Sequence, residues 1–323
     1  MDLVTVPRNA LIPAIGNLSL TDLRMMHHWS TATWDKLTIG PENSKVLLNH
    51  VTSLAFESDF LLNCILGISS LHKEHLLPDS QAQKNQTAIY RVKALNGFRE
   101  ALARISLDSL NWEAALIMAI LIIILCSKDY DRGEVEDELS IIKWLVLYRG
   151  VSSIISMKSY TEVLATGVHP IFRCELVPLT ITPATPRSLL RLVENIDILD
   201  PDFECRSSYC GMLNALSTLY GSLKQNGLCD DLFIRTITLA SHGSQQFCVV
   251  SREKRPRPLI ILAHLLIFIK LISNRLWWLK GMSDKEITAI ARIVGPEWLS
   301  YLEVPIAATK TTDKAEIVKL LMS

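Results

Sequence analysis

Neither sign of charge predominates in this chain of 323 residues, where 33 Lys and Arg stand against 33 Asp and Glu. Without a net positive field nothing draws the protein onto DNA, RNA or an anionic membrane, so no direct nucleic-acid partner is expected. Glycine is scarce too, at 13 residues, and none of it builds a phosphate-cradling loop, a Gly-x-Ser-x-Gly elbow or a dinucleotide fingerprint. Kinase, hydrolase and oxidoreductase readings therefore lack support. The first residues, with Asp2 and Pro7, offer neither the basic end nor the apolar stretch of an export signal. The hydrophobic runs also stop short: residues 114–126 fall below the roughly 18 that a membrane span needs, and residues 258–273 are interrupted by His264 and Lys270. No membrane span is expected. Seven cysteines (64, 126, 174, 205, 210, 229 and 248) are scattered without a disulfide-like framework, which points to a reduced, intracellular and most simply cytoplasmic protein.

What the chain has in quantity is apolar material, 49% of its residues, arranged with helical periodicity and without internal repeats. The expectation is an all-α fold: a single-domain bundle of about a dozen helices around an apolar pocket, spanning residues 19–323 after an irregular arm over residues 1–18. The one possible seam is the proline-bearing stretch 167–186. Residues 114–126 are apolar on every side and should form a central, wholly buried helix, with a second apolar helix at 259–280. Helix 80–105 is expected to turn Ile89, Val92, Leu95, Phe98, Leu102 and Ile105 inward, and the first helix Leu23, Met26, Trp34 and Leu37.

Chemistry is expected first at the end of the central helix. Asp129, Asp131, Glu134 and Glu138 follow the apolar run closely, and 131, 134 and 138 share one helical face. Carboxylates beside a greasy interior repel one another and resist desolvation unless cations neutralise them. A solvated interhelical loop accounts for the same residues. Glu194, Asp197, Asp200 and Asp202 form a second acidic group at another helix end, equally readable as a solvated terminus. Residues 252–257 are basic and read as an exposed loop or an import patch. Arg91, Arg149 and Arg275 are candidate phosphate partners through their guanidinium forks, with surface ion pairs as the alternative. His27, His28 and His72 lie in apolar segments, where hydrogen-bonded core histidines are commoner than catalytic bases. Of the tryptophans, Trp277 and Trp278 are the first choices for a cation-stabilising wall, although most tryptophans at helical spacing are simply core.

Four segments, in order, resemble the C-terminal ligand-sensing domain of fungal sterol-uptake-control regulators: LRMMHHWSTAT at 23–33, FLLNCILGISSLH at 60–72, KWLVLYRG at 143–150 and RLWWLKG at 275–281. The resemblance implies an all-α fold with a pocket for an isoprenoid-derived ligand. Those regulators carry a six-cysteine zinc cluster, whereas no cysteine here precedes Cys64 and the close pair Cys205 and Cys210 has the wrong spacing. Fungal humulene synthases, atypical sesquiterpene cyclases, share the regulator-like sequence without that cluster. Resemblance to them implies cyclisation of farnesyl diphosphate with Mg²⁺ held by Asp129, Asp131, Glu134 and Glu138. Asp131, Glu134 and Trp278 would be catalytic, and Arg91, Arg149, Arg275, His72 and Trp277 would bind substrate. The usual aspartate-rich cyclase motifs are absent, and a sterol- or lipid-sensing regulator domain is the alternative. A homodimer is compatible with either.

Overall fold

The computed structural model describes residues 18–37, 41–78, 80–105, 112–127, 139–172, 176–180 and 185–322, and every regular element among them is helical. Helices of seven or more residues are α1 (Leu20–His28), α2 (Asp59–Leu76), α3 (Gln81–Ala103), α4 (Trp112–Leu125), α5 (Ser140–Ile155), α6 (Arg187–Glu194), α7 (Arg206–Asn226) and α8 (Asp230–Thr238). They continue with α9 (Gln245–Arg252), α10 (Pro256–Ile272), α11 (Met282–Ile293), α12 (Glu303–Thr309) and α13 (Lys314–Met322). The described residues group by packing into two compact units, one within residues 1–121 and 160–170 and the other within residues 122–159 and 171–323. The boundary runs through α4.

Helix α4 is buried along its length apart from Glu113 and Ile120, as its apolar sequence requires. In the first unit, Glu113 accepts hydrogen bonds from the His50 ring at 2.8 Å and from the backbone N–H of Val168 at 3.2 Å. Its carboxylate is thereby satisfied despite the greasy neighbourhood. α1 opens with a capping box, in which the Ser19 hydroxyl accepts from Asp22 N–H and the Asp22 carboxylate accepts from Ser19 N–H. Asp22 also accepts from the Tyr90 hydroxyl, which ties α1 to α3.

That tie sets the register of α3 against the sequence expectation. The buried face carries Thr87, Tyr90, Ala94 and Phe98, while Ile89 and Val92 are 49% and 57% exposed and Leu102 is also exposed. Both sets recur at helical spacing. Tyr90 has a hydroxyl partner waiting on α1, and Phe98 stacks with Phe60 at 5.9 Å, so these larger rings take the interior. α1 departs likewise. Met25, Trp29 and Thr33 are buried and Leu23 is exposed, because the helix passes into a π-helical turn at Trp29–Thr33 that rotates the face below it.

In the second unit, α10 is the buried axis: from Pro258 to Ile272 only Lys270 escapes full burial. Pro256 starts it, where a missing N–H costs nothing. The helix is shorter than the 259–280 expected, since residues after Ile272 turn into the 3-10 segment Trp277–Leu279. α7 lies against α10 and α8, and α12 and α13 pack on α10 from the C-terminal side. α7 ends at Gly227, whose φ of +66° is one that residues with a Cβ rarely adopt.

A candidate ligand cavity

α6, α7, α10, α12 and α13 surround a half-open cavity of about 740 Å³ within the second unit. Its apolar wall comes from Pro186, Leu223, Val304, Leu320, Leu321 and Met322. Tyr220 of α7 and His264 of α10 also line it, and both are almost completely buried. Burial of two polar groups at this depth requires partners, and each has one. His264 Nε2 lies 3.1 Å from the carbonyl oxygen of Tyr301, and its Nδ1 lies 2.9 Å from the Tyr220 hydroxyl. A carbonyl only accepts, so Nε2 carries the hydrogen, Nδ1 is bare and the Tyr220 hydroxyl donates to it. Burial pushes the His264 pKa down to about 4 and raises that of Tyr220, so both groups are neutral near pH 7. Arg187, Ser188 and Lys224, all exposed, complete the lining at the rim.

Two smaller clefts, of about 150 and 240 Å³, lie in the same unit. The first is lined by Arg275 together with Cys229, Leu232 and Phe233.

The residues singled out in the sequence are dispersed. Asp129, Asp131, Glu134 and Glu138 lie outside the described residues. His72 and Arg91 belong to the first unit. There the His72 Nδ1 is 3.1 Å from the Thr33 hydroxyl, its ring centroid is 5.2 Å from that of His28, and burial lowers its pKa to about 4. It is a hydrogen-bonded core histidine. Arg149 donates to the carbonyl of Gly243 at 3.2 Å and to Gln245 at 2.9 Å, and Arg275 pairs with Asp230. Trp278 is buried and Trp277 half-buried on one 3-10 turn, and neither lines the large cavity.

The second acidic group and the basic stretch turn out to be one structure. Arg257 holds Asp200 at 2.6 Å and Asp202 at 2.7 Å, and Arg255 holds Asp202 at 2.9 Å. Asp197 instead accepts from the backbone N–H groups of Leu199 and Asp200. Burial disfavours the Asp202 charge, but hydrogen bonds from Arg255 and Arg257 outweigh it and hold the carboxyl below its ordinary pKa. These oxygens are committed to guanidinium groups, and of the basic stretch Arg255 and Arg257 are spent on these ion pairs. Among the described residues no group of three or more His, Cys, Asp or Glu converges to hold a metal ion. No described helix is long and apolar enough to cross a membrane.

Tyr220 and His264 carry no local motif in the sequence, because they stand 44 positions apart. The available signal was a histidine inside an otherwise apolar helix, which must find a partner.

Comparison with known proteins places the chain in a family. The profile described as "Fungal specific transcription factor domain" matches residues 24–194, more than half of the chain, and so reaches the rim residues Arg187 and Ser188. A Zn(2)-C6 fungal-type transcription factor of Gibberella zeae is 22% identical over 309 residues, covering 89% of this chain and 61% of that protein. Sterol uptake control protein 2 of Saccharomyces cerevisiae is 27% identical over 151 residues, 44% of this chain and 16% of its own. The Candida albicans protein of the same name is 24% identical over 161 residues, 47% and 22% of the two chains. The chain thus spans less than two-thirds of the length of each of these relatives. It belongs to the fungal-specific transcription factor domain family.

Proposed function

We propose that this chain is a ligand-responsive regulatory domain of the fungal transcription factor type, and that its ligand is a lipid-sized, largely apolar molecule held between α6, α7, α10, α12 and α13. The observation that carries this reading is the half-open cavity of about 740 Å³, a size within the range of small-molecule sites, with an apolar wall, two buried polar side chains and three exposed ones at the rim. The names of two relatives, which refer to control of sterol uptake, support a lipid as the class of ligand. A molecule that binds the folded state and fills this space stabilises the surrounding helices by mass action, which is the physical basis of a response. The cyclase reading, with Mg²⁺ and farnesyl diphosphate, rests on Asp129, Asp131, Glu134 and Glu138, outside the described residues. Among the described residues no Asp or Glu lines the cavity to take their place. An intracellular site of action accords with the regulatory reading.

The test is fluorescence titration of the purified chain with two polyene lipids, cis-parinaric acid and dehydroergosterol. Saturable binding of at least one, at one molecule per chain, is expected. Val304→Trp, which fills the cavity from a half-buried position, should weaken it at least tenfold, about 1.4 kcal/mol. No saturable binding of either lipid, or binding indifferent to Val304→Trp, would remove the reading.

A further inference from the structure

The distribution of donors and acceptors around this cavity specifies the ligand more closely, granted that the cavity is the ligand site. At its base every polar hydrogen is already used: His264 Nε2–H goes to the Tyr301 carbonyl, and the Tyr220 O–H goes to His264 Nδ1. The base therefore offers an incoming molecule a lone pair on the Tyr220 oxygen and no donor. An anionic head placed there would be desolvated without compensation. The rim is the reverse. Arg187 and Lys224 present only donors, both are exposed, and neither has a carboxylate partner among the described residues. With His264 neutral and no Asp or Glu in the lining among the described residues, the described side chains give the site two positive charges and no negative one. The first turn of α6, which holds Arg187 and Ser188, has no side-chain cap, so its positive dipole end adds to the same field.

We propose that the cavity binds an amphiphile with an acidic head, its hydrocarbon part inside and its carboxylate or phosphate at the rim between Arg187 and Lys224. Arginine's fork suits either oxyanion, and lysine adds a point charge. A hydroxyl far along the tail is accommodated by the Tyr220 oxygen, whereas an acid at that depth is not. Charge at the rim thus sets both the class of ligand and the direction in which it enters.

The experiment compares pairs that share a hydrocarbon tail and differ in the head. cis-Parinaric acid and its alcohol are titrated directly into the full chain at pH 7.5, and farnesyl diphosphate and farnesol are titrated as competitors of a neutral polyene. The expected result is that the acid of at least one pair binds about tenfold or more tightly than its alcohol, as two charge-assisted contacts at a solvated rim provide. The pair showing the difference tells carboxylate from phosphate. The double variant Arg187→Ala, Lys224→Ala should erase most of that preference and leave the alcohols unchanged, and both side chains are exposed, so the fold is retained. Alcohols binding within twofold of both acids, or acid binding indifferent to the double variant, would overturn the proposal. In that case, neutral binding that is still lost in Val304→Trp leaves the regulatory reading standing. If no probe binds, or Val304→Trp changes nothing, the cavity is not the site and both readings fall.

Discussion

Arg257 grips Asp200 with both terminal nitrogens, at 2.6 and 3.1 Å, while the second of these nitrogens also reaches Asp202 at 2.7 Å. The same side chain donates through Nε to the Leu192 carbonyl at 2.9 Å and lies over the Trp298 ring at 5.3 Å. One guanidinium at the start of α10 thus fastens α6, the 200–202 turn and the 3-10 segment Pro296–Leu302. A planar cation with five donors is needed for this, and a lysine cannot replace it.

Arg257→Ala is expected to lower stability by roughly 2 to 3 kcal/mol, since it strands the mostly buried Asp200 carboxylate and leaves Asp202 only its bond from Arg255. Arg257→Lys should recover only a small part. Urea denaturation of both variants, alone and combined with Asp200→Asn, measures the coupling, and a loss within error of zero would contradict this account.

Acid should weaken the fold through two histidines. His72 and His264 have folded pKa values of about 4 against an ordinary 6.5. Each must be neutral to stay buried, so its contribution is complete above pH 6.5 and is lost as pH falls towards 4. At pH 5 the cost is about 2 kcal/mol per histidine, at about 1.4 kcal/mol for each pH unit below the ordinary value. His72→Gln and His264→Gln should each flatten the pH dependence of unfolding by up to one proton. Ring resonances of both histidines in the wild type should stay fixed between pH 7.5 and 5, and their movement there would refute the assignment.

The all-α fold was legible because α4 and α10 are apolar all round and have no stable place except an interior. The face of α3 was not. Ile89 and Val92 compete with Tyr90 and Phe98 at the same periodicity, and the choice is made by a hydroxyl partner on α1, 68 positions away. The ion-pair cluster was read as two unrelated features because Arg257 and Asp200 are separated by 57 residues. The cavity was expected as an apolar pocket, but Tyr220, His264, Arg187 and Lys224 come from three helices and become a set only when those helices pack.

Gly167 is needed for the contact between His50 and Glu113. A Cβ built at residue 167 would lie 2.3 to 2.6 Å from three atoms of the His50 ring, so the ring must leave its position 2.8 Å from the Glu113 carboxylate. Gly167→Ala should cost about 1 to 3 kcal/mol, as overpacking generally does. The cost should largely vanish in a His50→Ala background. Full additivity in that double-mutant cycle would show that the glycine serves another purpose.

Glu286 closes the N-terminal end of α5 from a distant helix. Its carboxylate, buried on α11, accepts from the backbone N–H groups of Ser140 at 3.0 Å and Ile141 at 3.3 Å, and α5 has no side-chain cap of its own. Burial raises the carboxyl's pKa more than these two hydrogen bonds lower it. A carboxyl with a raised folded value contributes stability that is complete below its unfolded pKa and is lost as pH rises through the folded value. Ionisation of Glu286 in the fold therefore works against burial even though its two hydrogen bonds are satisfied in geometry. Glu286→Gln removes the charge and keeps one acceptor, and should change stability at pH 7 by about 1 kcal/mol or less. Glu286→Ala leaves two buried N–H groups without an acceptor and should cost on the order of 2 to 4 kcal/mol, with early hydrogen exchange at Ser140 and Ile141. The two variants separate the hydrogen bonds from the charge. If Gln proved as damaging as Ala at pH 7, the carboxylate charge itself, acting on the positive end of α5, would be the part that holds the helix.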